Sequence, residues 1–231
     1  MSQTAKYIKS LSDLQEGERS RLRRLAGRPL DATLQGFDLF TGLWWPLRAK
    51  SPATPRREPS WLVAKLFGAF RVPHIRPDSG AGPSLPEVLG HCEPPRPACR
   101  GAGLLSSTVP DSEPAKSQFI AARKYRRRFD VLLCSPLSGL EPHLQWAIGE
   151  VARAVAGRVP HAKDVKGIDW VQLLDDLWLW DRQYNPDHTP QKSRLNAHER
   201  LVHCQETHRT PQDLWACEYL NAANHQPQRR A

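Results

Sequence analysis

The chain has 231 residues, 39% of them hydrophobic, and 21 prolines, so it is long enough for one or two domains and too proline-rich to be regular throughout. Lys and Arg number 33 against 24 Asp and Glu, a formal net charge of +9 with a pI near 9.6, which favours polyanionic partners: nucleic acid or an anionic membrane surface. No apolar stretch of signal-peptide or membrane-span length occurs, and the five cysteines have no regular spacing, so the expectation is a soluble cytoplasmic protein with reduced thiols and no membrane partner.

In chain order, residues 5–46 read as helical in two or three pieces. Ser12 with Gln15 resembles a capping box, and Gly27-Arg28-Pro29 marks a break. Leu30, Leu34, Phe37, Phe40 and Trp44 then recur at spacings of three and four, one face of a helix that Pro46 is expected to close. After a loop with three prolines over 48–60, Ser60 is positioned to cap a buried helix, WLVAKLFGAF. Between Arg71 and Ser117 nine prolines interrupt any period, so this stretch reads as a long loop or linker with one helical turn at Leu85–Leu89. Helical periodicity returns from Gln118 to about Leu133. Leu144, Ala147, Ile148, Val151, Ala152 and Val155 form an amphipathic stripe that ends near Gly157. Asp169 with Gln172 is a cap signature opening a helix striped by Leu173, Leu174, Leu177 and Trp178. From Asn185 the chain is polar, with helices expected over Ser193–Thr207 and Pro211–Asn221. No segment alternates long enough for a sheet. The predicted fold is all-α: two small helical bundles, 1–70 and 118–184, joined by a Pro-rich loop over 71–117 and followed by a polar helical extension over 185–231.

Two basic clusters carry the charge. Arg19, Arg21, Arg23, Arg24 and Arg28 place five arginines in ten residues, anchored by Leu22 and Leu25. Arg123, Lys124, Arg126, Arg127 and Arg128 place five cations in six, with Phe119, Ile120 and Leu132 as anchors. A single basic run is ordinarily a solvated face. Two arginine-rich runs in a strongly basic chain favour a nucleic-acid surface, because a helix-borne guanidinium pairs with two phosphate oxygens and stays charged. Such contacts follow the backbone and carry little base information. The extension 185–231 has a net charge of only +1, with six Lys and Arg against five Asp and Glu, so the basic excess lies upstream.

Other chemistry is weakly supported. Trp44, Trp45, Trp61, Trp146, Trp170 and Trp178 sit at core-like spacing, so core packing is preferred to base stacking for them; Trp180 and Trp215 are less clearly placed. His203, Cys204, His208 and Cys217 lack the matched ligand pairs of a zinc site, and Cys92 and Cys99 are likewise weak, so no metal is expected. Asp169, Asp175 and Asp176 could be imagined as a metal-binding set, but Asp169 is better explained as a helix cap and adjacent carboxylates diverge. There is no Gly-rich phosphate loop and no hydrolase or zinc-protease motif, so neither catalysis nor a cofactor is expected.

The order "LRRLAG", "WLVAKLFGAF", "RRRFDVLL" and "AIGEVARAVAG…GIDWVQLLDDLWLWD" resembles the CasB family, the small subunit of the type I-E CRISPR Cascade complex, over roughly residues 7–184. The resemblance rests on Arg23 and Arg24, on Arg127, Arg128 and Phe129, and on Asp169, Trp170 and Leu173. It implies a non-catalytic helical protein, present in two copies, whose basic residues steady the guide RNA–target DNA hybrid and the displaced strand. Its implied partners are other Cascade subunits, the guide RNA, the target and displaced DNA strands, and a second copy of itself. The long proline-rich segment, Asp130 and a tail expected to run past the family's usual end depart from the pattern. The alternative reading is a stand-alone basic helical regulator that binds DNA or RNA.

Overall fold

A computed structural model describes residues 2–29, 33–52, 54–77, 80–95, 113–180 and 210–224. Nine α-helices are found among them: α1 Gln3–Ser12, α2 Glu16–Arg24, α3 Leu34–Lys50, α4 Arg57–Ala69, α5 Leu85–Cys92, α6 Glu113–Cys134, α7 Glu141–Val155, α8 Trp170–Leu179 and α9 Pro211–Asn224. The described residues contain no strand, only an isolated parallel bridge between His74 and Ile168. The all-α expectation holds.

One hydrophobic cluster draws on all nine helices, from Tyr7 and Ile8 of α1 to Trp215 and Tyr219 of α9. Within it Trp170 of α8 meets Phe67 of α4 edge-on at 5.2 Å, Trp180 meets Trp215 at 4.8 Å, and Phe129 stacks on Tyr219 at 4.1 Å. Such pairs add directional preference to simple burial. Polar atoms taken into this core find partners: Trp170 Nε1 donates to the Val72 carbonyl at 3.1 Å, Tyr7 Oη to the Ser60 carbonyl at 2.8 Å, and Thr4 Oγ1 to Asp175 at 2.8 Å.

Two helix pairs approach so closely that each needs a glycine. On α4, a Cβ at Gly68 would lie 2.5 Å from Leu22 Cβ of α2. On α5, a Cβ at Gly90 would lie 2.5 Å from the Tyr219 carbonyl and 2.7 Å from Ala222 of α9. The first contact seats the arginine-bearing α2; the second seats α9 on α5.

Several local expectations change. The α3 helix runs through Pro46, which leaves the Gly42 carbonyl without its helical donor; both residues are exposed to solvent. Ser12 ends α1 and its hydroxyl donates to the Ile8 carbonyl, while Glu18 caps the Gln15 amide at the start of α2. The α4 helix starts at Arg57, which places Ser60 inside it. The turn expected at Leu85–Leu89 is the eight-residue α5, opened by a Ser84–Glu87 capping box. Trp45 is 57% exposed because Phe40, Trp44 and Leu47 hold the inward stripe of α3, and Ile120 is 61% exposed because Ala122, Tyr125, Phe129 and Leu132 hold that of α6. Trp180 and Trp215 are both buried. The helix expected over Ser193–Thr207, with His203, Cys204 and His208, lies outside the described residues, as does Cys99.

Candidate nucleic-acid interface

The two basic clusters sit on α2 with its following turn and on α6. Leu22 and Leu25 bury one side of the first, leaving Arg21, Arg23, Arg24 and Arg28 exposed. Three of the α2 arginines are already engaged. Arg19 donates to the Ser12 carbonyl and lies over the Phe67 ring at 5.8 Å. Arg23 Nε reaches the Gly68 carbonyl at 3.5 Å, and Arg24 Nε the Ser20 carbonyl at 3.4 Å. A single carboxylate oxygen, Glu16 Oε1, stands 3.6 Å from Arg23 Nη2 and 3.1 Å from Arg71 Nη2. Arg71 thereby joins this patch. No local sequence signal marks it, since it reaches α2 only because the end of α4 packs there, with Gly68 against Leu22.

On α6 the buried residues Ala122, Tyr125, Phe129 and Leu132 fix the rotation of the helix, so Arg123, Lys124, Arg127 and Arg128 face solvent. Arg126 points elsewhere. Its Nε donates to Glu93 at 2.7 Å, and Tyr219 Oη donates to the other oxygen of the same carboxylate at 2.6 Å. Glu93 is buried, so this ion pair pins α6 to the end of α5 and to α9. The negative charge of Glu93 adds to burial in raising the Tyr219 hydroxyl above its ordinary range, which keeps it a proton donor.

Glu141, the first residue of α7, holds the end of the first cluster. Its Oε1 accepts from the Gly27 amide at 2.6 Å, and its Oε2 accepts from Lys65 Nζ, which also donates to the Arg28 carbonyl at 2.8 Å. The end of the first cluster is therefore fastened to the N-terminus of α7. The next two residues, Pro142 and His143, form with Trp146 one wall of a groove of about 500 Å³. Its other wall is Lys124, Arg127, Arg128 and Val131 of α6.

The acidic residues that could suggest a metal have other work. Asp169, fully buried, accepts from the amides of Val171, Gln172 and Gly82 at 3.0–3.2 Å and pairs with Arg76 at 3.4 Å. Asp175 receives Thr4, and Asp176 receives Trp215 Nε1 at 2.8 Å. Among the described residues no group of three His, Cys, Asp or Glu side chains could hold a metal ion. The Cys92 thiol, pushed up to about 12 by burial, stays protonated and unreactive.

Comparison with known families decides the lineage. Residues 18–219 match the family described as CRISPR-associated protein Cse2. The chain belongs to the Cse2 family. This family, also called CasB, supplies a non-catalytic subunit of the type I-E CRISPR Cascade complex. The Cse2 match takes in both basic clusters and reaches α9. That corrects the expectation of a tail beyond the family's end: Trp215 and Tyr219 are core residues inside the matched region. A search of curated proteins found no match. No helix among the described residues is long and apolar enough to cross a membrane.

Proposed function

We propose that this Cse2 chain acts within Cascade as a non-catalytic clamp on nucleic-acid backbone, steadying the guide RNA–target DNA hybrid and the displaced strand. The observation that carries the reading is the outward row Arg123, Lys124, Arg127 and Arg128 on α6, together with a second exposed group, Arg21, Arg23, Arg24 and Arg28, on α2 and its following turn. Opening a DNA duplex against a guide is nearly balanced in free energy, so modest backbone contacts on the opened state shift it. Arginine forks supply such contacts without reading bases. Arg126 contributes by holding α6 in place. Its partners in this reading are other Cascade subunits, the guide RNA, both DNA strands and a second copy of the chain, and its setting is the cytoplasm.

The test is charge reversal. Arg23→Glu with Arg24→Glu, or Arg127→Glu with Arg128→Glu, should weaken binding of unrelated DNA sequences alike. Removing one phosphate-binding cation should lower the slope of log affinity against log salt by roughly 0.7–0.9. Circular dichroism should show the helical fold intact. Sequence-selective weakening, or none, would refute backbone tracking. Co-purification of the tagged chain with Cascade subunits and guide RNA separates this reading from a stand-alone regulator.

A further inference from the structure

We propose that the groove between α6 and α7 receives one unstacked nucleotide of a single strand, its base packed against Trp146 and Arg128 and its phosphates on Lys124 and Arg127. This rests on the backbone-binding reading above and adds to it a nucleobase site and a preference for single strands.

The groove combines two surfaces that backbone tracking alone does not need. One is the cationic row: residues 124, 127 and 128 share one face of α6, at helical spacings of three and four. The other is an aromatic floor. Trp146 is only half-buried, and Tyr125 packs edge-on against it at 5.1 Å and 67°. Arg128 places its guanidinium 5.8 Å from the centre of the same ring. A planar guanidinium on an indole is itself a stacking surface for a base. Val131, 44% exposed, and Pro142 give the groove an apolar margin. Its volume of about 500 Å³ falls in the range of small-molecule sites, roughly 300–1,000 Å³.

A base pair inside a duplex has both faces covered by its neighbours and cannot enter. An unstacked base presents a free face, and stacking on an aromatic side chain tolerates any base identity. The occupant is thus a nucleotide of single-stranded DNA or RNA, held by charge at one edge and by ring contact at the other.

The decisive experiment uses the full chain with fluorescein-labelled oligo(dT), oligo(rU) and a mixed-sequence DNA duplex, read by anisotropy. Trp146→Ala should weaken single-strand binding by about tenfold, leave duplex binding unchanged and leave the salt slope unchanged, since an indole carries no charge. Trp146→Phe, which keeps an aromatic ring and the packing on Tyr125, should weaken it less. Photocrosslinking with 5-iodouracil placed in the DNA or RNA strand should mark the peptide containing Trp146, and the strand that crosslinks identifies the sugar. If the alanine variant loses its helical signal, the phenylalanine variant and the crosslink decide. Crosslinks confined to other peptides, or equal weakening of single-strand and duplex binding, would overturn the nucleobase site. The arginine reversals would still weaken binding in that case, so the backbone reading would survive. If those reversals also had no effect, the backbone reading would fall as well.

Discussion

The two basic clusters hold five cations each and use them differently. On α2 the guanidinium groups are largely occupied by carbonyls of Ser12, Ser20 and Gly68 and by the Glu16 carboxylate. In the α6 cluster Arg123, Lys124, Arg127 and Arg128 face water, whereas Arg126 is turned inward onto Glu93. An aromatic ring lies beneath an arginine in both places, Phe67 under Arg19 and Trp146 under Arg128. Arg19, however, is tied down by the Ser12 carbonyl, whereas Arg128 is exposed and borders an open groove. Cation count therefore says less about a binding surface than the side each cation takes on its helix.

The contrast is broken most forcefully at Arg126. Arg126→Ala leaves the buried Glu93 carboxylate without its cation and should cost roughly 2–4 kcal/mol in urea unfolding, whereas Arg127→Ala, one residue away, should stay within about 0.5 kcal/mol. Similar destabilisation by the two variants would show that Arg126 is no more structural than its neighbours.

A smaller effect is expected beside α2, at His74. Its Nδ1 accepts the Trp170 amide at 3.3 Å, with Asp169 Oδ1 at 3.9 Å and Arg76 nearby. Burial lowers the imidazole below its ordinary 6.5, against the opposing pull of Asp169. Below about pH 6.5 the unfolded chain takes up a proton that the folded chain resists. Stability should therefore fall with pH there and level off once the folded imidazole is also protonated. His74→Asn, which keeps an acceptor without the titration, should flatten that acid limb. An unchanged limb would move the titration elsewhere.

Smallest of all is Glu16. Glu16→Gln removes a carboxylate that competes with phosphate for Arg23 and Arg71, and should tighten oligonucleotide binding by about two- to threefold at low salt. Weaker binding would mean that Glu16 positions these arginines for their ligand.

The parts of this molecule that follow from local periodicity were legible in the sequence. The α7 stripe of Leu144, Ala147, Ile148 and Val151 is fully buried, and Asp169 caps α8 as its spacing with Gln172 implied. What could not be read depends on distant partners. Glu93 lies in the proline-rich segment and nothing local pairs it with Arg126, 33 residues away, or with Tyr219, 126 residues away. The same holds for Arg71 beside Glu16. Pro46 misled for another reason: α3 continues for four residues beyond it on the exposed side of the helix, where a lost backbone bond is cheapest. Within the α6 cluster, helical spacing separates Arg126 from Arg127 by about a quarter turn. It does not say which of them faces inward.

The seating of α9 on α5 has a consequence for how the chain is made. Ser84 bonds Glu218 across 134 residues and Tyr219 closes on Gly90, so the partner of α5 leaves the ribosome long after α5 itself. In the interval, Leu89 and Phe129, both buried at the end, wait without their final cover. Closing so long a loop is an entropically late step, and the apolar faces it seals are the ones a nascent chain must keep from sticking. The core around α5 and α6 is thus completed by residues from the last helix to be synthesised among the described residues.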